Sequence, residues 1–313
     1  MVTKRSRSDF KPKFKWKNAA KAAFFAVFAG LLIFFGVILV RRLADSGKNE
    51  REALQDLWEA SEYQKTYAES LEKLKSNPMD FFLLTLRGFS AYQLAVAQIN
   101  ANDIQNYIDD CIWSLRKALL LTEAQNDGRV YYVLGKAYYE KGEGYADLAV
   151  KYLEKGRSLD FYARDIPQYL GLSYAAIQDY RASVAAFSLA LNDSDLSKRD
   201  GLLIAIANSY YALGDTASAQ AYLIRCADTS LDSKSVSAAR LRLGIIHIET
   251  GNSAAAEEQF RLILDDGDEN ADAHYYLGEL YLAAGDSTRA RAEWRNAVRI
   301  DPAHRLARAR LNG

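Results

Sequence analysis

The sequence lacks the motifs of the common enzyme classes. Its only Gly-x-Gly, Gly142 to Gly144, falls in a predicted turn with no strand before it, which excludes a phosphate-binding loop of the usual kind. There is no nucleophile elbow and no paired-histidine motif. The three histidines lie far apart, without acidic or thiol partners at close spacing. The chain is therefore predicted to be non-enzymatic, with no cofactor, no metal and no small-molecule substrate.

Strand signals and net charge are absent as well. Only four prolines interrupt a sequence dense in alanine, leucine and tyrosine, and this composition predicts an all-α chain. Basic and acidic residues balance at 40 each, for a formal charge of zero. However, residues 1–21 carry eight lysines and arginines against Asp9 alone. The remainder is thus mildly acidic, which argues against a nucleic-acid-binding domain.

One long apolar run lies near the N-terminus. Residues 22–40 contain no charged side chain and would span roughly 28 Å as a helix, close to the thickness of a bilayer core. The alternative is a cleaved signal peptide, whose apolar part is about 7–15 residues long and ends at small residues. Here the run is longer, and Arg41 and Arg42 follow it. It is predicted to be an uncleaved single-pass anchor in the inner membrane.

The basic residues around this run predict its orientation. Eight precede it, and four follow closely: Arg41, Arg42, Lys48 and Arg51. The side richer in lysine and arginine stays in the cytoplasm. The N-terminus is therefore predicted to be cytoplasmic, and the rest of the chain periplasmic or otherwise extracytoplasmic.

Residues 273–302 show the clearest pattern in the chain. Leu277, Gly278 and Tyr281 share one face of a predicted helix, which Gly285 and Asp286 end. Ala290, Trp294 and Ala297 line a second helix, and Pro302 closes the unit. Small residues let two antiparallel helices approach, and large ones fill the space between them. Asp286 or Ser287 is predicted to cap the second helix, and Asp301 and Pro302 are predicted to start the next one.

This pattern resembles the tetratricopeptide repeat. The resemblance implies a right-handed α-solenoid of helix–turn–helix repeats. Four residues of the preceding unit match at a period of 34: Gly244, Gly251, Ala256 and Phe260 precede Gly278, Gly285, Ala290 and Trp294. Looser copies contain Ala207 and Gly214, Gly171 and Phe187, and Gly135 and Leu153, and a degenerate first copy contains Gly88 and Leu115. This gives five clear repeats and a degenerate one.

The predicted organisation follows from these copies. Residues 50–76 have apolar spacings near 3.6 and predict a continuous helical stretch, whose later part resembles the second helix of a half-repeat. The predicted segments are a basic cytoplasmic tail at 1–21, a transmembrane helix at 22–40, a juxtamembrane helical connector at 41–62, the solenoid at 63–302, and a capping helix at 303–313.

The two cysteines occupy positions where the repeat has a small residue. Cys111 and Cys226 match Ala290 and Ala297 respectively. A bridge between them would cross three repeats, whereas bridged Cα atoms lie within about 7 Å of each other. Both are predicted to be buried and unpaired. His247 and His274 likewise match aromatic packing positions of the repeat.

The resemblance also implies a binding groove, because ligands of the family lie along the concave surface made by the first helices. Transferring the groove offsets gives a set spaced by three or four residues on one face of each helix. The set is Tyr132, Lys136, Tyr139, Gln168, Leu172, Ile204, Asn208, Tyr211, Leu241, Ile245, Ile248, Tyr275, Glu279 and Leu282. It is largely apolar and aromatic, as expected of a protein-binding surface. The alternative is that neighbouring elements or a second copy of the chain cover this face, which leaves self-association open.

A second candidate surface is basic. Arg291, Arg295 and Arg299 follow one another at intervals of four and predict one stripe on a helix. They form either a docking patch for an acidic partner or an ordinary solvated convex face.

The layout resembles that of two groups of membrane-anchored tetratricopeptide repeat proteins. One comprises scaffolds around envelope machines, including periplasmic flagellar collars, and the other comprises ancillary periplasmic chaperones for secreted or membrane protein clients. The favoured expectation is a scaffold that holds partner proteins in an envelope assembly, with the chaperone as the alternative.

Overall fold

The computed structural model describes residues 36–37 and residues 49–312, apart from 194, 266 and 268. Within them the chain contains helices and turns and no strands. The predicted transmembrane helix at 22–40 lies outside the described residues except at 36 and 37. No helix in the described part is long and apolar enough to cross a membrane.

Residues 49–312 of the described part contain sixteen α-helices and one short 3-10 helix, Glu143–Tyr145. The α-helices are α1 (49–59), α2 (Tyr63–Leu74), α3 (Phe81–Val96), α4 (Ala101–Ala118), α5 (Thr122–Gln125), α6 (Gly128–Lys141), α7 (Ala146–Ser158), α8 (Ile166–Ala176), α9 (Tyr180–Asn192), α10 (Leu196–Ala212), α11 (Thr216–Thr229), α12 (Ser233–Glu249), α13 (Ser253–Asp265), α14 (Ala271–Ala283), α15 (Ser287–Ile300) and α16 (Arg305–Asn312).

The helices pack in successive pairs along the chain. The pairs are α3–α4, α6–α7, α8–α9, α10–α11, α12–α13 and α14–α15, and each pair packs on the next. Helix α2 packs on α3, and α16 packs on α15 at the C-terminal end. Because each element contacts mainly its neighbours in sequence, the core is a row of linked clusters, as in a solenoid.

The close approach within a pair depends on the glycine of the first helix. A Cβ atom at Gly278 would lie 2.4 Å from Nε1 of Trp294. The same relation joins Gly244 to Phe260 and Gly171 to Phe187, at 2.4 and 2.5 Å. Five of the six pairs therefore have a glycine against a bulky residue, and the sixth has Ala207 in a cluster with Leu223.

Four of the six turns within the described pairs contain one residue in the left-handed backbone region, namely Gln178, Gly214, Gly251 or Gly285. Gly285 has φ +83°, a conformation that a glycine adopts without steric strain, and Oδ1 of Asp286 then accepts a hydrogen bond from the backbone N–H of Arg289 at 2.9 Å. The predicted cap is confirmed. The turn between α8 and α9 has Gln178 at φ +63° in the same role, which explains why that copy carries no glycine signal.

Two local predictions are wrong. Residues 50–76 do not form one helical stretch, because the chain turns at residues 60–62, where Ser61 has φ +60°. Leu54 of α1 is 1% exposed in a cluster with residues of α2 and α3, so α1 and α2 form a hairpin that extends the stack.

The second wrong prediction concerns the start of the last helix. Asp301 and Pro302 do not begin this helix. The Asp301 side chain instead accepts from the backbone N–H of Ala303 at 2.9 Å, in the loop. Helix α16 begins three residues later, where Nδ1 of His304 accepts a hydrogen bond from the backbone N–H of Ala307 at 3.1 Å. Histidine is an uncommon cap, so the usual sequence rules do not find this helix start.

Candidate protein-binding face

The first helices of the repeats meet along one side of the stack. Helix α3 contacts α6, α6 contacts α8, α10 contacts α12, and α12 contacts α14. We call the side that these helices line the concave face. All predicted groove residues belong to its helices, α6, α8, α10, α12 and α14.

The predicted groove residues differ in exposure. Asn208 and Leu282 are exposed, and Tyr275 is buried. The others are half-buried: Tyr132, Lys136, Tyr139, Gln168, Leu172, Ile204, Tyr211, Leu241, Ile245, Ile248 and Glu279. Side chains of intermediate burial can still contact a ligand, whereas a buried one must first be uncovered.

The polar residues of this set connect one repeat to the next. Lys136 Nζ lies 2.8 Å from Oδ2 of Asp165, at the start of α8. Nε of Arg242 donates to Oδ1 of Asn208 at 3.1 Å, from α12 to α10. The Tyr211 hydroxyl completes the connection by donating to Glu249 at 2.6 Å. These residues therefore stabilise the stacking of neighbouring repeats as well as forming the surface.

Lys136 lies within a group of tyrosines. Its ammonium group is 5.2, 5.0 and 4.7 Å from the ring centres of Tyr92, Tyr132 and Tyr169. Burial lowers the pKa of Lys136, but the hydrogen bonds to Asp165 and Tyr132 more than compensate, so its pKa lies above the ordinary value. Burial raises the pKa of Tyr132 to about 12. Lys136 is thus already paired with side chains of its own chain, so it differs from a lysine whose charge is free to bind a ligand in the groove.

An aromatic cavity of about 400 Å³ opens on the N-terminal part of the concave face. We call it the aromatic cavity, and its rings come from α1, α3, α6 and the loop after α7: Trp58, Phe81, Phe82, Phe89, Tyr92, Tyr132 and Phe161. Of these, only Tyr132 was among the predicted groove residues. The groove offsets, transferred to Gly88 of the degenerate repeat, give Thr85, Phe89 and Tyr92, all of which line the cavity. A usable sequence signal was therefore present in α3.

The C-terminal end of the concave face is covered by α16. Tyr275 is 9% exposed, and its ring centre lies 5.4 Å from that of His304. Glu279 accepts a hydrogen bond from Nε of Arg310 at 2.8 Å. The chain itself therefore occupies this face at the last repeat, which is the alternative that the sequence left open.

A second cavity lies between α7 and α9. It measures about 570 Å³ and is lined mainly by apolar side chains, among them Ile166, Leu170, Ala186 and Leu189. Its charged lining residues form ion pairs, Arg157 with Glu154 and Arg164 with Asp193. No predicted site residue lines it.

The remaining candidate residues have structural roles or are solvated. Cys111 and Cys226 are buried and unpaired, as predicted. His274 Nδ1 lies 2.6 Å from a carboxylate oxygen of Glu293, and His247 lies beside Gln220. In the described part of the chain, no group of histidine, cysteine and acidic side chains could hold a metal ion. Arg291, Arg295 and Arg299 are exposed on α15.

Comparison with known proteins agrees with this architecture. A family model described as tetratricopeptide repeat matches residues 204–271 and 241–305. No curated protein matches the sequence. Among solved structures, the C-terminal part of a TPR repeat-containing protein from Cytophaga hutchinsonii superposes with a TM-score of 0.61 at 13% identity, over 83% of this chain and 99% of that one. The structure of pilF from Pseudomonas aeruginosa superposes with a TM-score of 0.50 at 14% identity, over 71% and 95% of the two chains.

These similarities identify the class of the protein. At such identities the superpositions show a shared fold and nothing further, but the family model matches in sequence at the two repeats with the clearest 34-residue period. Residues 204–305 therefore contain tetratricopeptide repeats, and the described part of the chain has the fold of a tetratricopeptide repeat protein. Repeats of this kind imply a protein–protein interaction scaffold.

Proposed function

We propose that the chain is a membrane-anchored, non-enzymatic scaffold that binds an apolar or aromatic segment of a partner protein on the concave face. The observation that carries this proposal is the aromatic cavity, in which rings from α1, α3, α6 and the loop after α7 surround an open space of about 400 Å³. Aromatic side chains are common binding anchors because they bury a large area at low entropic cost.

The position of the cavity supports it as the main site. At the C-terminal end the concave face is already covered by α16, whereas at the N-terminal end Phe89 and Gln93 remain half-buried at the cavity wall. A ligand that enters there would contact α3 and α6 together. Polar groups at the rim, such as Gln55 and Gln93, could orient its backbone by hydrogen bonding.

The test is site-specific photocrosslinking in the full chain. A photoreactive residue at Gln93 should capture a small number of partners in fixed ratio. The matched control is Ile224, which is 49% exposed and lies outside the proposed site, on α11, the second helix of the α10–α11 pair. Equal capture at both positions would refute a site at the cavity. Capture of many different clients at Gln93 would support the alternative, an ancillary chaperone.

The anchor and the location are part of the proposal. They are supported by the uncharged run at 22–40 and by the excess of basic residues before it. We propose that residues 1–21 are cytoplasmic and that the solenoid, with its partner, is periplasmic in an envelope assembly. A phosphatase fused after Gly313 should then be active, because this reporter folds only outside the cytoplasm. An inactive fusion beside an active cytoplasmic reporter at the same site would refute this topology.

A further inference from the structure

The C-terminal end of the solenoid is strongly basic. Residues 287–312 contain seven arginines and no lysine, against Glu293 and Asp301. Three of these arginines, Arg291, Arg295 and Arg299, form the basic stripe on the exposed side of α15. The core residues Ala290, Trp294 and Ala297 lie on another side of α15, and α15 is not one of the helices that line the concave face. The basic stripe is therefore separate from the concave face and from the ligand proposed there.

The basic stripe is only partly neutralised. Arg299 has an exposed partner, Glu269, at 3.8 Å. Among the residues that the structure describes, no carboxylate lies within ion-pair distance of Arg291 or Arg295. Like charges four residues apart on a helix repel each other and destabilise the helix slightly. The stripe therefore weakens α15 slightly unless a ligand with negative charge covers it.

The preceding repeat shows that the fold does not require this charge. The three positions 34 residues earlier are Glu257, Arg261 and Asp265, an alternation of acid and base. There Nη2 of Arg261 pairs with Oε1 of Glu257 at 2.6 Å within the helix. The three corresponding positions thus carry a formal charge of −1 in α13 and of +3 in α15.

The geometry points to an acidic helical segment as the occupant of the basic stripe. The three arginines extend over about 12 Å, with about 6 Å between neighbours, because a helix rises 1.5 Å per residue. A helix with glutamate at every fourth residue presents carboxylates at the same interval. Guanidinium groups pair bidentately with carboxylates, which suits a stripe made only of arginine. We propose that the basic stripe docks such a segment of a protein partner.

A narrow line of charge fits a helix better than it fits a membrane. A flat lipid surface would be matched by basic residues spread over several elements, and lysine would serve it as well as arginine. Arg305 and Arg308 of α16 are exposed at the same end of the solenoid. They would extend the positive field that attracts the acidic segment before it docks.

The test uses the full chain in neutral detergent micelles and two labelled helical peptides. One peptide has glutamate at every fourth residue, and the other has glutamine at the same positions. The wild-type chain should bind the glutamate peptide about tenfold more tightly by fluorescence anisotropy. The preference should decline as the salt concentration rises from about 50 to 300 mM. The double variant Arg291→Glu/Arg295→Glu should lose it.

Three controls make the result decisive. Arg181→Glu, an exposed charge reversal on α9, should keep the preference. Arg291→Gln/Arg295→Gln should weaken it without introducing acidic residues. The melting temperature of each variant should stay within about 2 °C of the wild type, since the stripe does not contribute to the core and its charges affect the stability of α15 only slightly. Equal affinity for the two peptides, or unchanged binding by the charge-reversed variant, would refute the proposal. Wild-type binding to anionic lipid in mixed micelles, without binding to the peptide, would assign the stripe to the membrane and would also overturn it.

Discussion

Replacing Gly278 with alanine places one methyl group in the tightest contact of the last repeat. The new Cβ would lie 2.4 Å from Nε1 and 2.6 Å from Cδ1 of Trp294, well inside normal contact distance. The indole is 3% exposed and cannot move away without disturbing the core of the repeat. Overpacking of this kind costs about 1–3 kcal/mol. For a folded unit of this size, the melting temperature should fall by about 2–12 °C.

The control is the same substitution at a glycine without neighbours. Gly201 lies inside α10 and is exposed, and an added Cβ would meet nothing within 4 Å. Gly201→Ala should be neutral or should stabilise the protein by about 0.5–1 kcal/mol, because alanine favours helix over glycine. Circular dichroism at 222 nm and tryptophan fluorescence should both be followed during heating, since the last repeat can unfold before the others.

A double substitution isolates the steric cause. The chain already combines alanine with leucine at this contact, as Ala207 and Leu223 in the fourth pair. Gly278→Ala should therefore destabilise the protein less in the Trp294→Leu background than in the wild type, and the difference measures the coupling of the two positions. The reasoning would be refuted if Gly278→Ala left the melting curve unchanged, or if its effect were the same in both backgrounds.

Three further predictions concern the groove, the thiols and acid stability. Tyr139→Ala and Tyr211→Ala should weaken partner recovery, by about 1–2 kcal/mol where the ring is an anchor, and should lower the melting temperature less than a core substitution does, because the contacts they lose, with Tyr169 and Glu249, join half-buried or exposed side chains of neighbouring repeats. Tyr281→Ala, at a side chain 8% exposed, should lower the melting temperature and serves as the control. Both cysteines should react with a thiol reagent only after denaturation, because they are buried and burial raises their pKa values; rapid labelling of the native protein would contradict this. The side-chain carboxylates of the capping residues Asp215 and Asp286 accept hydrogen bonds from backbone N–H groups, and these bonds lower their pKa values below the ordinary 3.8. Their stabilising effect should be complete above that pH and lost as the pH falls further, and chemical denaturation between about pH 5 and 2 measures it.

The sequence predicted the pairing of helices well where the signal is local. Gly244, Gly278 and their bulky partners identify the register because each contact depends on two residues sixteen positions apart in one repeat. The turn at Ser61 and the cap by His304 were missed for a related reason. Both use residue types that rarely adopt these roles, so no local rule marks them.

The candidate site was harder to predict because it depends on neighbouring repeats. Lys136 was placed on the correct helix, but its ion-pair partner, Asp165, is 29 residues away in sequence. Asn208 and its partner Arg242 are 34 residues apart. The separation of Asn208 and Arg242 equals the 34-residue period, but that of Lys136 and Asp165 does not, so a fixed period does not identify the partners in every repeat. Coverage of Tyr275 by α16 depends in the same way on how the last helix folds back.

The bonds between neighbouring first helices have a mechanical consequence. Any pull that straightens the solenoid opens its inner side first and so lengthens the contacts of Asn208 with Arg242 and of Glu279 with Arg310. The charged pairs among them are screened by salt, whereas the apolar contacts on the outer side are not. We therefore expect the resistance of the solenoid to straightening to decrease as the ionic strength rises. The end-to-end distance of the solenoid should increase in concentrated salt without loss of helix, and a bound ligand that bridges two first helices would stiffen it.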